Sequence, residues 1–430
     1  MRDLKGPLGN SSAWMLVGQG SSVITQALYF ALIGRLLGSA GYGLIVGASA
    51  AVSLLSQYSS FGSGLVLVQQ VSRRRSEFAS YWGSALLTLG SLSLIILLVL
   101  LGAAPWIVGR ANVTTLGILA FSDVVFGQLC TISSQAFQAH ERMRNAAFIG
   151  TSTYTLRLVA AAGLYWKFRQ ITPQTWALAT LSVSACTAVA AVSVVTMTFG
   201  RPIFNLRDAV RRTREGVVYA FSNSTVSAYN DLDKTMLVHY QMNAAAGIYS
   251  LAYRVIDIGT MPIRAIHSAA FPRFFQKGAN GISSVRHFAR RILSRTLLIG
   301  GLMCGAMFIS APLLPRIAGP NFYPSIAALR WLCLIPVFRA CHLSAGDALV
   351  GAGHKTIRLW CQIGAAVINF GLNLVLIPRF TWHGAAWASL ATDGGLAIVT
   401  WALLAVMRGK DPEAVAAPLR QPLGAIQGTA

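Results

Sequence analysis

Twelve apolar stretches, each about the 20 residues needed to cross the hydrocarbon layer of a bilayer, follow one another along this chain with short polar breaks between them. They lie near 14–36, 44–68, 81–103, 114–138, 146–166, 176–198, 217–241, 245–272, 292–315, 325–351, 359–378 and 385–407. Backbone placed in lipid must satisfy its own polar groups, so such stretches are read as helices. Composition agrees: 54% of residues are hydrophobic and 11% charged, where a soluble chain carries about 25% charged residues. Several breaks have turn chemistry, among them Gly38 to Gly43, Ala103 to Thr115, Gly319 to Tyr323 and Gly351 to His354. Met1 to Ser12 lacks a short apolar core with a small-residue cleavage site, so the first apolar run is expected to stay in the mature protein.

The longest breaks, 199–216 and 273–291, leave no room for an aqueous catalytic domain. No GxxxxGK[ST] phosphate loop is present, so no ATP bound to this chain is expected to drive it. The six cysteines lie in apolar runs without CxxC or Cys/His spacing and read as packing residues. The expectation is a protein that is not an enzyme, with no catalytic residues, no cofactor and no metal.

Charge gives the orientation. With the N-terminus in the cytoplasm, the inner segments hold 22 of the 35 Lys and Arg and the outer loops six, a strong positive-inside bias that puts both termini in the cytoplasm. The net charge of +22 is scattered over short loops as topology signal rather than gathered on one surface, so no nucleic-acid partner is expected. In the 273–291 break, Val285, Phe288 and Ile292 alternate with Arg286, Arg290 and Arg291. They suit either a helix lying on the anionic inner leaflet or a solvated basic loop. The tail beyond Arg408, residues 409–430, reads as disordered and cytoplasmic.

Faint self-similarity recurs at about half the chain length. Tyr42-Gly43-Leu44-Ile45 resembles Ala246-Gly247-Ile248-Tyr249, His140-x-x-x-Arg144 matches His354-x-x-x-Arg358, and Trp176 to Leu181 resembles Ala385 to Leu390. The expected fold is an all-α integral membrane protein of about twelve transmembrane helices. These would form two six-helix bundles, 1–200 and 201–408, related by a pseudo-two-fold axis along the membrane normal, with the substrate path between them.

Ionisable groups at membrane depth cost about 2.5 to 3.5 kcal/mol each on insertion scales and so face a cavity or a partner. In span 7, Asn223, Ser227, Asn230 and Lys234 share a helical face, with Asp231 one turn from Lys234 and Asp233 beside it. In span 8, Ser250, Arg254, Asp257, Met261, Arg264 and Ser268 share another. Arg157 and Arg339 sit near mid-depth, and neither they nor Arg264 has an acid at i±3 or i±4. Guanidinium groups lining a cavity fit phosphate through paired hydrogen bonds, which points to an anionic substrate. The alternative is internal neutralisation, Asp231 with Lys234 and Asp257 with Arg254, joining spans 7 and 8. Asp123, Asp347 and Asp393 are lone acids that suit a coupling proton or Na⁺, or pair with an arginine; Asp231, Asp233 and Asp257 are further coupling candidates. The N-terminal half carries hydroxyls and amides: Ser49, Ser53, Ser56, Ser60 and Ser63 along span 2, and Gln19, Ser22, Gln26 and Tyr29 along span 1. Such stripes suit sugars or close helix packing, and Gly43-x-x-x-Gly47 reads as packing.

The Gly41-Tyr42-Gly43 turn before a Ser-rich span ending in Arg73, the Asp231 to Lys234 segment followed by Gly247-Ile248-Tyr249 and Tyr253-Arg254, Pro272, Gly319 to Tyr323, Asn369, Asn373, Pro378 and Gly384-Ala385-Ala386 resemble the bacterial polysaccharide-export flippases. These belong to the multidrug, oligosaccharidyl-lipid and polysaccharide exporter superfamily. The resemblance covers nearly the whole chain. It implies an inner-membrane protein that moves an undecaprenyl-pyrophosphate-linked oligosaccharide to the periplasmic leaflet by alternating access, for surface or exopolysaccharide synthesis. Its partners would be membrane lipid and the polysaccharide polymerase and export machinery. On this reading Arg254, Arg264 and Lys234, with Arg157 and Arg339, hold the pyrophosphate. Gln26, Ser49, Ser53, Ser56, Ser60, Asn223 and Asn230 contact sugar, and the prenyl chain stays in lipid. Peptidoglycan-precursor flippases look similar but have fourteen spans with arginines in the first two; here those spans carry hydroxyls and only Arg35, at a boundary. The alternatives are a drug or metabolite exporter of the same superfamily, and a membrane polysaccharide polymerase or ligase, which would need a long outer loop.

Overall fold

A computed structural model describes residues 7–168 and 170–407, all of whose regular structure is helical. The side chains of residues 7–24, 27, 218–219 and 221–230 lie outside the description, and with them the expected sugar contacts Asn223 and Asn230. In chain order the principal helices are α1 (Pro7–Ser60), α2 (Ser63–Val71), α3 (Phe78–Val108), α4 (Val113–Phe121), α5 (Gln128–Ala139), α6 (Met143–Lys167), α7 (Pro173–Phe199) and α8 (Leu206–His239). They continue as α9 (Asn243–Gly278), α10 (Ile282–Ser310), α11 (Leu313–Ala318), α12 (Ser325–Leu332), α13 (Ile335–Gly351), α14 (Lys355–Phe380) and α15 (Trp382–Val406).

Each of the twelve apolar stretches corresponds to a helical pass. The first lies in α1, and the second runs from α1 across a break at Phe61 and Gly62 into α2; α1 itself turns at Gly38 with φ 65° and ψ 178°, a backbone region open in practice only to glycine. The expected turn at Gly38 to Gly43 is thus a single residue, and helix resumes at once. The fourth pass is α4 and α5 joined by a π-helical turn, Ser122–Gly127. Among the described residues eight helices are long and apolar enough to cross a membrane, one of them Leu28–Ser60 within α1. The fully described α6 and α9 are not among them, because Arg157 interrupts the first and Arg254, Asp257 and Arg264 the second. Large apolar side chains on the outside, such as Trp166 at 92% and Met197 at 86% exposure, form a surface that lipid would cover.

The chain packs as two compact units. Among the described residues, one comprises those up to 254 with 312–328 and 373–385, and the other those of 255–311, 329–372 and from 386 onward. In the first, Trp82, Phe78, Phe137 and Leu89 are buried together. Backbones approach closely where α1 meets α8 and α9: a Cβ built on Gly43 would lie 1.8 Å from the Asn243 carbonyl oxygen, and one on Gly247 2.1 Å from that of Ser39. The tight approach explains why the two halves share a glycine in matching sequence contexts.

In the second unit, Phe274, Val285, Ala289, Leu349 and Leu404 form the core. The apolar face of 285–292 is therefore packed inside the protein: Val285 is fully buried, Ile292 nearly so, and Phe288 meets the Phe274 ring edge-on at 4.9 Å. Neither a leaflet-bound helix nor a solvated loop survives, since the segment is the first turns of α10 and only residues 279–281 separate it from α9. Arg286 has a structural task there, its Nη2 donating to the carbonyls of Ala405 at 3.2 Å and Met407 at 2.8 Å. A guanidinium at a helix C-terminus satisfies orphan carbonyls and opposes the dipole. Arg286→Ala should cost about 1 kcal/mol and accelerate amide exchange in the last turn of α15, measured by hydrogen–deuterium exchange; unchanged exchange there would refute the cap.

Candidate functional site: a polar cavity at membrane depth

The α4–α5 pass, the second half of α1 and α6 line a partly open cavity of about 450 Å³ in the first unit. Ser53 and Ser56 of α1, Gln128, Thr131 and Gln135 of α5, and Thr153 of α6 line it. Asp123 and Arg157 also line it, well inside their passes, as does Gln138 near the helix ends at Ala139 and Met143. Hydroxyls and carboxamides are unusual in such number on helices otherwise fit for lipid, and their polar atoms need partners. Ser53 and Ser56 each donate back to a carbonyl one turn earlier, Ala50 at 2.8 Å and Ser53 at 3.2 Å. Their oxygens remain able to accept.

The π-helical turn contributes Asp123 to this wall, and Ser59 of α1 donates to its Val124 carbonyl at 3.2 Å. Such turns add a residue to the helical circumference and recur at functional sites. Arg157 Nη2 donates to Asp123 Oδ1 at 3.2 Å and to Ser184 Oγ of α7 at 3.1 Å, while its Nε is buried without a hydrogen-bond partner. The Arg157 side chain is 18% exposed and that of Asp123 29%. A guanidinium with one arm on a carboxylate still presents donors, so this pair can order hydroxyl-rich solutes or take a second anion.

The other expected site residues of the first unit lie outside this cavity. Lys234 is buried, its Nζ 2.5 Å from Asp231 Oδ1 and 5.0 Å from the Tyr253 ring centroid. Asp233 is buried too, accepting the Lys234 backbone N–H at 2.7 Å and the Tyr249 hydroxyl. Half-buried Arg254 lies over the Phe30 ring, 4.4 Å from its centroid, with no carboxylate within 4 Å among the described residues. Gln26 and Ser49 are half-buried and Ser60 is buried, none of them lining the cavity.

The second unit concentrates its ionisable groups differently. Asp257 Oδ1 accepts from Arg264 Nη2 at 3.2 Å and from Arg339 Nη1 at 3.4 Å. Arg339 Nε is 3.8 Å from Asp393 Oδ2, and His342 Nε2 4.0 Å from Asp393 Oδ1. A second cluster joins α9, α13 and α14: Asp347 accepts from Arg358 Nη1 at 2.7 Å and faces His267 Nδ1 at 2.8 Å. Local spacing misled here in two ways. Arg157, Arg264 and Arg339 have no acid one turn away, yet each has a carboxylate, because neighbouring helices or a second helical turn supply it. Asp257 pairs with Arg264 and Arg339 rather than with Arg254, whose guanidinium is turned onto an aromatic ring. Spacing also passed over His267 and His342, whose signal was a histidine inside a pass that already held other ionisable groups.

A family profile described as "Polysaccharide biosynthesis protein" matches residues 8–277. No curated protein sequence matches the chain. Among solved structures, a multidrug resistance MATE family transporter of the MOP superfamily in its inward-facing conformation is similar, with a TM-score of 0.70 at 13% identity over 93% of this chain and 96% of that one. An outward-facing conformation of such a transporter gives 0.59 at 14% identity over 97% and 98%. A MOP superfamily transporter from Pyrococcus furiosus gives 0.58 at 14% over 94% and 96%. The profile match shows that the chain belongs to the polysaccharide biosynthesis protein family, and the all-helical multi-pass architecture together with the structural matches makes it a multi-pass membrane protein with the fold of the MOP superfamily transporters.

Proposed function

We propose that the protein is a flippase for an undecaprenyl-pyrophosphate-linked oligosaccharide in the bacterial inner membrane. It works by alternating access between N-terminal (1–200) and C-terminal (201–408) bundles, with both termini cytoplasmic. The observation that carries this reading is the hydroxyl- and amide-lined cavity among the membrane-spanning helices, with Arg157 and Asp123 in its wall. Sugars offer many neutral donors and acceptors, and a wall of Ser, Thr and Gln pairs with them at lower desolvation cost than a wall of charges. Ser53 and Ser56 serve as sugar contacts, and Arg157 orients the glycan. Phosphate contacts fall to Arg254, which has no carboxylate within 4 Å among the described residues, and to Arg264, half-exposed and sharing Asp257. Lys234 and Arg339 are too deeply buried and too well paired to move onto a ligand cheaply.

The test uses cells deleted for the gene and complemented with variants, following surface polymer and lipid-linked repeat units in the inner leaflet. Arg254→Ala at normal abundance should lower polymer export about tenfold, as for one lost charge-assisted contact. Arg254→Lys should restore part of it, since an ammonium keeps the charge and loses the paired geometry. Full export by Arg254→Ala would remove that residue from the site. Loss of resistance to an exported drug, with polymer intact in the deletion strain, would replace the flippase by a small-molecule exporter.

A further inference from the structure

Helix α6 has two faces with opposite chemistry. Gly150, Thr153, Tyr154 and Arg157 border the polar cavity, whereas Arg144, Phe148, Thr151, Ser152, Thr155 and Leu156 border a second hollow of about 770 Å³ against α7, and Ile149 touches both. The second hollow exists because small side chains face one another: Thr151, Ser152 and Thr155 from α6, Thr187, Ala190 and Ala191 from α7. Three of its four hydroxyls are turned back into their own helices. Ser152 donates to the Ile149 carbonyl at 2.9 Å, Thr155 to Thr151 at 3.0 Å and Thr187 to Val183 at 2.9 Å. Apolar atoms make up most of the groove's wall, and Phe148 and Leu156, 73% and 42% exposed, stand beside it.

Charge appears at one end only. Arg144 lines the groove where α6 begins, and Arg142, two residues earlier, holds its guanidinium 5.2 Å from the Phe199 ring centroid at the end of α7. A groove cationic at one end and apolar along its length fits an anionic amphiphile with a long chain. The neighbouring cavity says more about the head, because a plain phospholipid would leave that sugar-like wall without an occupant. The start of α6 brings together three surfaces: basic, apolar and rich in hydroxyls and amides. The three parts of a glycosylated polyprenyl pyrophosphate have those chemistries.

We propose that the groove between α6 and α7 binds the polyprenyl chain of the glycolipid, with its pyrophosphate against Arg142 and Arg144 as a loading position and its sugar turned into the polar cavity. This rests on the flippase reading, and it takes the chain out of bulk lipid, where the sequence alone left it. Ala190 and Thr155 are exposed, so larger side chains there fill the groove without entering the core.

The probe is a polyprenyl diphosphate bearing a diazirine on its chain, photolysed with the full-length protein in nanodiscs and mapped by peptide mass spectrometry. Saturable label is expected on α6 and α7, and Ala190→Trp should reduce it about tenfold through lost chain burial. Thr155→Leu serves as a second filling variant should the tryptophan protein not fold. Arg142→Gln with Arg144→Gln should weaken saturation about tenfold through lost charge-assisted contacts. Excess phosphatidylglycerol should leave the label in place; displacement by it at equal concentration would make the groove an ordinary lipid site and overturn the proposal. Saturable label elsewhere, indifferent to both filling variants, would overturn the groove and leave the flippase standing. No saturable label anywhere would count against both.

Discussion

Asp123→Ala should be among the most destabilising single substitutions in the first unit. It leaves the Arg157 guanidinium, 18% exposed and held by the carboxylate at 3.2 Å, with Ser184 as its named remaining partner. Breaking a buried pair from one side costs about 3 to 5 kcal/mol, and the opening toward the cavity places this case near the lower figure. The double variant Asp123→Ser with Arg157→Met removes both charges and should recover most of that stability in thermal unfolding of the purified protein, since replacing a buried pair by packed neutral groups is often neutral. Export separates structure from function. If the pair serves the glycan, the stable double variant remains unable to export polymer; if it only joins α6 to the π-helical turn, the double variant exports normally and Arg157 leaves the site. Arg157→Lys is informative as well, because an ammonium reaches one partner where the guanidinium reaches Asp123 and Ser184 together.

The passes were legible in the sequence because a bilayer imposes length and polarity on every helix that crosses it, and those constraints are local. Even the turn at Gly38 and the 3₁₀ turn at Pro320–Phe322 follow from local backbone chemistry. Pairing is a property of helix packing and was not legible. Asp123 and Arg157 are 34 residues apart and Asp257 and Arg339 82 apart, and no periodicity along one helix brings them together. The span 2 serines show the same divide: their shared face could be read from the sequence, but that Ser53 and Ser56 reach the cavity while Ser59, off the stripe, supports the π-helical turn depends on which helix lies opposite. The two faces of α6 escaped sequence reading because threonine and serine occur on both, and only the helices packed opposite, α1 and α5 on one side and α7 on the other, distinguish a polar wall from an apolar one.

Asp347→Ala should do comparable damage in the second unit through a different arrangement. Asp347 and His267 have side chains 6% and 5% exposed, and Arg358 21%. One carboxylate oxygen receives Arg358 Nη1 at 2.7 Å and the other faces His267 Nδ1 at 2.8 Å. Removing it strands a guanidinium and an imidazole together, again about 3 to 5 kcal/mol. Arg358 lies one turn into α14 and can withdraw toward the helix start, which favours the lower part of that range. Asp347→Asn should cost less, because the amide oxygen still accepts one hydrogen bond while losing the charge. His267→Gln should cost least, about 1 kcal/mol, since the Asp347–Arg358 pair remains. The order Ala, Asn, Gln is the diagnostic result, measured as unfolding midpoints in one detergent. Equal midpoints for Asp347→Ala and His267→Gln would show that Arg358 needs no counter-charge from Asp347, and the cluster would then be no brace between α9, α13 and α14.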